Sequence, residues 1–492
     1  MKIRVRFAPS PTGPLHIGGL RTALFNYLYA KSKKGSFILR IEDTDQNRYV
    51  EGSENYLIKA LNWCGIKPDE GPNTKGNFGP YRQSERKKIY KEHIDKLINL
   101  GAAYYAFDSE DQLKKYRQED EKNGKTFLYG SQNRIKFRNS LTLNLTETKK
   151  ALEGDYVVRL KVMGGAKVSV NDEIRGNISV STDLLDDKIL LKSDGLPTYH
   201  FANVVDDKLM EITDVIRGEE WLPSLPIHKL IYDAFNWNLP RFMHLPLILK
   251  PNGKGKLSKR DGLKDGYPVF PIKFKELNLG FKERGFLSEG MVNYLALLGW
   301  NSGTENEIFN LSDLIKYFSI KRVQKGGARF DYEKACWINQ QHISKSDVKT
   351  LMEQKIVRET LEKVEEKKRI NILNLVKNRL KTLNDLKNEI RFLDDPQDYD
   401  KKSVIKLIDK NPVKIMDQII KLLNSDIEIA DMKQSLFEWG KNEKIPFGLI
   451  MQTLRLAIIG QLSGPDLFKI CALIGKNVSL KRVQKFKTFC LK

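Results

Sequence analysis

"RVRFAPSPTGPLHIGGLRTALFNYLYAK", Arg4 to Lys31, is the stretch that decides the fold. Ile3, Val5 and Phe7 alternate with Arg4 and Arg6, the period of a strand. From Leu20 onward Ala23, Leu24, Tyr27 and Leu28 recur at helical spacing. "KKGS" (33–36) then turns the chain into "FILRIED" (37–43), a near-continuous apolar run typical of a buried parallel strand. Strand, loop, helix, turn and strand within about 40 residues make a βαβ unit, hence an α/β domain with a parallel sheet. The loop between strand and helix is a natural anion site, because backbone N–H groups at a helix start have no helical partner. It carries Gly13, Gly18 and Gly19 and one imidazole, His16. It is neither a Walker loop, since no G-K-[ST] follows, nor a G-x-G-x-x-G fingerprint.

Outward from this unit the chain is long, 492 residues, so several domains are expected. Its net charge of +22 favours a polyanionic partner such as nucleic acid, although the excess is spread along the chain. Cys64, Cys336, Cys471 and Cys490 form no C-x-x-C pair, which argues against a disulfide framework or a cysteine zinc site. With no apolar signal core at "MKIRVRF" and no run approaching ~20 apolar residues, the expectation is a cytoplasmic protein that does not engage membranes.

"GPNTKGNFGPYRQSER" (71–86) is a glycine-rich loop, followed by a helical stretch, 87–100. The region to about 195 holds "YVVRLKV" and "AKVSVND", strand-like but unlike the first unit, and reads as an inserted domain. "LPTYHFANVVDD" and "DVIRGEEWLPSLPIHKLIYDAF" return to strand–loop–helix style. "KPNGKGKLSKRDG" (250–262) has glycines, lysines and no periodicity, and reads as a mobile loop. From about Phe330 onward the apolar residues repeat at three and four, so the last third is all-helical. Taken singly, His16 reads as a satisfied imidazole and "KLSKR" (256–260) as a solvated basic loop. Lysines on a glycine-flanked loop could equally neutralise charge on a polyphosphate.

Order and spacing carry more than either loop. P-x-P-T-G-x-x-H-I-G, a βαβ start, an insertion and then K-L-S-K-R resemble a class I aminoacyl-tRNA synthetase, with H-I-G-G for H-I-G-H and K-L-S-K-R for K-M-S-K-S. "RFAPSPTGPLHIGGLRTALFN", "RIEDTD", "GPYRQSER", "PTYHFANVVDD", "DVIRGEEW" and "FDYEKACWIN" look like bacterial-type glutamyl-tRNA synthetases. The resemblance implies a Rossmann-type catalytic domain in two halves, 1–85 and 196–248, with an inserted α+β acceptor-binding domain at 86–195. It further implies a stem-contact region carrying the lysine loop at 249–330 and an all-helical anticodon-binding region at 331–492.

The implied reaction is ATP-dependent activation of L-glutamate, then transfer to the terminal adenosine of tRNA(Glu). The amino acid supplies its own nucleophile, so the protein's task is positioning and charge neutralisation. By match to the family's motifs, His16, Lys256 and Lys259 would be catalytic. Pro14, Gly18, Gly19, Glu220 and Ser258 would join them around ATP. Arg6 and Arg217 would bind glutamate, with Glu42 holding its ammonium and Ala8, Ser10, Tyr199 and Asn203 completing the pocket. Judged alone, Tyr199 and Trp221 are more often core residues. Magnesium is implied with ATP, and no protein-held metal. The stretch 102–131, where some relatives carry a zinc site, has no cysteine, so no structural zinc is expected. The resemblance also implies a monomer, and tRNA(Gln) stands as a possible second substrate. A glutaminyl enzyme usually has a β-barrel anticodon region, against the helical last third here. The short tRNA-base-modifying relative lacks a full anticodon part. A non-catalytic RNA-binding relative would be expected to have lost His16, Lys259 or the two arginines.

Overall fold

A computed structural model describes residues 2–74, 76–275 and 280–491, with the backbone alone at Leu263. Strand β1 (Arg4–Phe7) leads through the loop into helix α1 (Ile17–Ser32) and back to strand β2 (Ser36–Leu39). β1 and β2 pair in parallel, Val5 opposite Phe37 and Phe7 opposite Leu39, as the βαβ reading requires. α1 buries Ile17, Leu20, Leu24, Phe25 and Leu28, each worth ~1.5–3 kcal/mol of transfer from water. Asn26 is buried with them, and its amide donates to the carbonyls of Thr22 (2.8 Å) and Ile216 (3.0 Å).

The remaining strands of this sheet system come from distant sequence. β3 (Lys167–Asp172) and β4 (Gly176–Ser181) form an antiparallel hairpin. Helix α2 (Tyr199–Leu209), strand β5 (Asp214–Gly218), helix α3 (Leu225–Ala234) and strand β6 (Arg241–Leu245) follow. The strand order is β4-β3-β6-β5, with β5–β6 and β3–β6 parallel. β5 adjoins β1, where Thr213 N–H donates to the Arg4 carbonyl at 3.0 Å. A separate antiparallel sheet, Ala103–Ala106, Val157–Leu160 and Ile189–Leu191, forms the rest of the insertion with its own aromatic cluster around Tyr129 and Phe137.

The lysine segment, expected as an aperiodic loop, carries a hairpin and a helix start. Leu257 N–H bonds the Ile248 carbonyl (2.8 Å) and Lys250 N–H bonds that of Gly255 (3.1 Å), so the segment folds back as a hairpin. Arg329 donates to the carbonyls of Lys250, Pro251 and Gly253 at its tip. Helix α4 (Lys259–Asp265) then starts inside "KLSKR". Ser258 caps it together with Asp261, whose carboxylate accepts from Ser258 N–H and Oγ–H and pairs with Lys250. Polar side chains bonding to backbone, not periodicity, order this segment.

Two compact units result: residues 1–283 with 291–332, and residues 284–290 with 333–492. The described residues of the second unit form helices and turns and no strand. They close on a core of aliphatic side chains such as Leu373, Ile419, Leu436 and Ile458. Among the described residues no helix is long and apolar enough to cross a membrane.

Candidate active site

The loop after β1 begins the site. Gly13 has φ +129°, which favours glycine, and a Cβ built there would lie 3.3 Å from Lys259 Nζ. The β1–α1 turn and the start of α4 are therefore in contact. Ile17 N–H bonds the Val269 carbonyl (3.0 Å), and the Phe270 ring contacts both His16, edge to face, and the Lys259 ammonium.

His16 occupies the N-cap of α1, where Ser, Thr, Asp or Asn is usual, and its Nδ1 accepts from Gly18 N–H at 3.1 Å. Burial, then the charges of Lys259 and Lys256, lower its pKa to about 4. The ring is thus neutral at pH 7 with its proton on Nε2, and that N–H is buried without a partner. The Lys259 side chain is exposed at the surface, yet partial desolvation against the neighbouring turn lowers its pKa as well. Lys256 bonds Glu220 at 2.7 Å, so these two expected ATP residues pair with each other. Gly19 has a local reason: a Cβ there would lie 2.7 Å from Leu15 Cδ1, so the second histidine of the H-I-G-H pattern meets the loop's own leucine. Pro14 and Gly18 lie on the same loop and helix start, with Ser258 committed to capping α4.

The expected glutamate residues form two clusters. In the first, Asn203 links Arg6 and Glu42: its Oδ1 accepts from Arg6 (3.4 Å) and its Nδ2 donates to Glu42 Oε1 (2.9 Å). Arg6 also pairs with Asp207 at 2.9 Å. Arg40, fully buried, donates to Asp207 (2.7 Å) and to Glu42 (3.0 Å). Burial pushes the Glu42 carboxyl up, against the pull of Arg40 and Arg6. Burial also opposes ionisation of Asp207, yet Arg6 and Arg40 hold it below the usual carboxylate range.

The second cluster centres on Arg217, which is 5% exposed. Its Nε donates to His244 Nε2 (2.9 Å), Nη1 to Tyr199 Oη (2.9 Å) and His228 Nδ1 (3.4 Å), and Nη2 to the Trp221 carbonyl (3.4 Å). All four acceptors are uncharged. Burial, then Arg217 itself, lowers the pKa of His228, and burial does the same for His244. Five donors meet four acceptors, so one N–H remains over. Arg6 is neutralised inside the protein, whereas no carboxylate among the described residues pairs with Arg217. α2 joins the clusters, since Tyr199, Asn203 and Asp207 repeat at four residues along one face. Trp221, a residue type more often found in cores, is 41% exposed and lies over Tyr199 with ring centroids 4.2 Å apart. Ser10 is exposed and Ala8 half-buried on the first loop.

Arg40, Asp207, His228, His244 and Asp261 were not singled out by sequence reasoning. The spacing of Asp207 from Tyr199 was a usable signal for that residue; the two histidines had none, since they sit mid-element among apolar residues.

A family model described as tRNA synthetases class I (E and Q), catalytic domain, matches residues 2–337, and one described as anticodon binding domain matches 345–487. The glutamate–tRNA ligase of Christiangramia forsetii is 51% identical over 98% of this chain and 98% of its own. That of Flavobacterium johnsoniae is 47% identical with the same coverage of both. The crystal structure of a glutamate tRNA ligase from Elizabethkingia meningosepticum in complex with its amino acid superposes with TM-score 0.94 at 43% identity, covering 99% of each chain.

Proposed function

The chain belongs to the class I tRNA synthetases for E and Q, among the glutamate–tRNA ligases, and from that premise we propose how its own side chains perform the reaction. L-glutamate attacks the α-phosphate of ATP through its α-carboxylate, diphosphate leaves, and the glutamyl group passes from the adenylate to the terminal adenosine of tRNA(Glu).

His16 donates its unpartnered Nε2–H to a phosphate oxygen. Being neutral, it adds a directed hydrogen bond without another charge. Lys259, already against the β1–α1 turn, neutralises charge building on the leaving diphosphate. Lys256 exchanges Glu220 for phosphate when ATP enters. Class I synthetases use ATP, generally with magnesium. Among the described residues no group of three or more His, Cys, Asp or Glu is arranged to hold a metal.

The observation that carries the amino-acid assignment is Arg217: a buried guanidinium with only neutral acceptors asks for a carboxylate, and the glutamate side chain supplies it. Glu42, held by Arg40 and Asn203, faces the ammonium. The inserted segment, 86–195, receives the acceptor end of tRNA and the helical region, 331–492, its anticodon, as a cytoplasmic monomer. Pyrophosphate exchange with each amino acid, with and without tRNA, tests the reading. Exchange with glutamate alone is expected, and preference for glutamine or no exchange at all overturns it. Charging of purified tRNA(Glu) and tRNA(Gln) decides whether the second is also a substrate.

A further inference from the structure

Arg217 is the end of a chain of side chains that crosses three neighbouring strands. Asp172 on β3 is 1% exposed and His244 on β6 is fully buried. Register places His244 directly opposite Arg217 and Asp172 opposite Phe242, two residues before His244. Asp172 Oδ2 lies 2.7 Å from His244 Nδ1, and His244 Nε2 lies 2.9 Å from Arg217 Nε.

The direction of each hydrogen bond follows from the chemistry. A guanidinium nitrogen only donates, so His244 Nε2 must accept and the ring proton must sit on Nδ1. That proton is held by Asp172. The carboxylate is itself fixed, since its Oδ1 accepts from Ile174 N–H (3.0 Å) and Arg175 N–H (2.8 Å), and Oδ2 accepts from His244 N–H (3.1 Å). No group in this chain is exposed enough to serve a solvent role, and ordinary sheet packing would be met by apolar residues at less cost.

We infer that Asp172 and His244 are positioning residues for glutamate: they fix the plane and direction of the Arg217 guanidinium so that its remaining N–H and its two long contacts face the substrate carboxylate. The inference rests on the proposed role of Arg217 as that carboxylate's partner. Without His244 the guanidinium keeps its charge but loses the bond at Nε that sets its rotation. Asp172→Asn acts on the tautomer. Its carbonyl stays on the Ile174 and Arg175 N–H groups, so its amide faces His244 Nδ1 and donates to it. The ring proton is then driven to Nε2, against the Arg217 Nε–H.

The test is steady-state aminoacylation of tRNA(Glu) by the full-length protein, with KM for glutamate and for ATP measured separately beside thermal melting. His244→Ala should raise KM for glutamate about tenfold or more and leave that for ATP within about twofold. His244→Gln, which can put its Oε1 near the position of Nε2, should recover most of the loss. Asp172→Asn should raise KM for glutamate more than that for ATP, with a lowered melting temperature because the His244 N–H loses its acceptor at Oδ2, and heteronuclear NMR of ring-labelled histidine should show the His244 tautomer exchanged. Arg217→Met is the control. If it raises KM for glutamate while His244→Ala does not, the inference fails and the glutamate site stands; if Arg217→Met changes nothing, both fail. Equal losses for ATP and glutamate, with Gln no better than Ala, would mean a purely structural role and also overturn it.

Discussion

Arg217→Met removes the charge while keeping a buried, unbranched side chain, and its effects on binding and on stability should run in opposite directions. Arg217 has one N–H left over and two contacts at 3.4 Å, to His228 and the Trp221 carbonyl, that can be exchanged for substrate. A carboxylate taking up one free donor and one of these gains two charge-assisted bonds. At ~1.5–3 kcal/mol each, less the contact given up, the loss on mutation is about 3 kcal/mol, roughly 150-fold in kcat/KM for glutamate. Stability should hold or rise, because none of the acceptors is a carboxylate that would be stranded, and a desolvated charge is removed. Pyrophosphate exchange at saturating ATP measures the first quantity and urea unfolding the second. A variant with an unchanged glutamate requirement, or one whose requirement for ATP rises more, refutes the placement of Arg217 at the side-chain carboxylate. A loss of several kcal/mol in stability refutes the view that its charge is uncompensated.

Arg40→Met should behave in the contrary way, because it takes from buried Glu42 the cation bonded to it and leaves Asp207 with Arg6 alone; a loss of about 3 kcal/mol is expected in urea unfolding, and less than about 1 kcal/mol would contradict the network. Gly19→His, which restores the H-I-G-H pattern, should cost at most about 1 kcal/mol, since the atom it meets is the movable Cδ1 of Leu15, and Leu15→Ala in the same chain should remove that cost in thermal melts. Acid stability follows from the imidazoles. Burial, aided by Lys259 and Lys256 for His16 and by Lys188 and Arg217 for His200, lowers both pKa values from 6.5 to about 4. The unfolded chain therefore binds these protons first, so their contribution is fully present above pH 6.5 and is lost as pH falls towards 4. Calorimetry from pH 7 to 4 should show a falling melting temperature that His16→Asn makes shallower, and an identical pH slope in that variant would exclude His16 as a contributor.

Much of the fold was legible because it is local. The βαβ start follows from a change of period between Phe7 and Leu20, and the helical last third from unbroken three-and-four spacing. The hairpin and helix start within the lysine loop were not legible, because they rest on Asp261 and Arg329, single polar side chains that leave no periodic trace. The exposure of Trp221 over Tyr199 was not legible, because residue type says what a side chain prefers, not what the chain can place over it.

What the sequence by itself determined is which residues can do this chemistry and where the local elements begin: a histidine at a helix start, a lysine pair, two arginines at strand ends. Read along the chain, Arg6 and Arg217 are equivalents. Only the tertiary structure made them different. Arg6 meets its carboxylate 201 positions away, and Arg217 meets two neutral histidines and a tyrosine, one of those histidines 27 positions on and tied to an aspartate 72 positions before it. Charge compensation depends on what a side chain touches after the sheet has assembled, and strand register, not sequence proximity, decides those contacts.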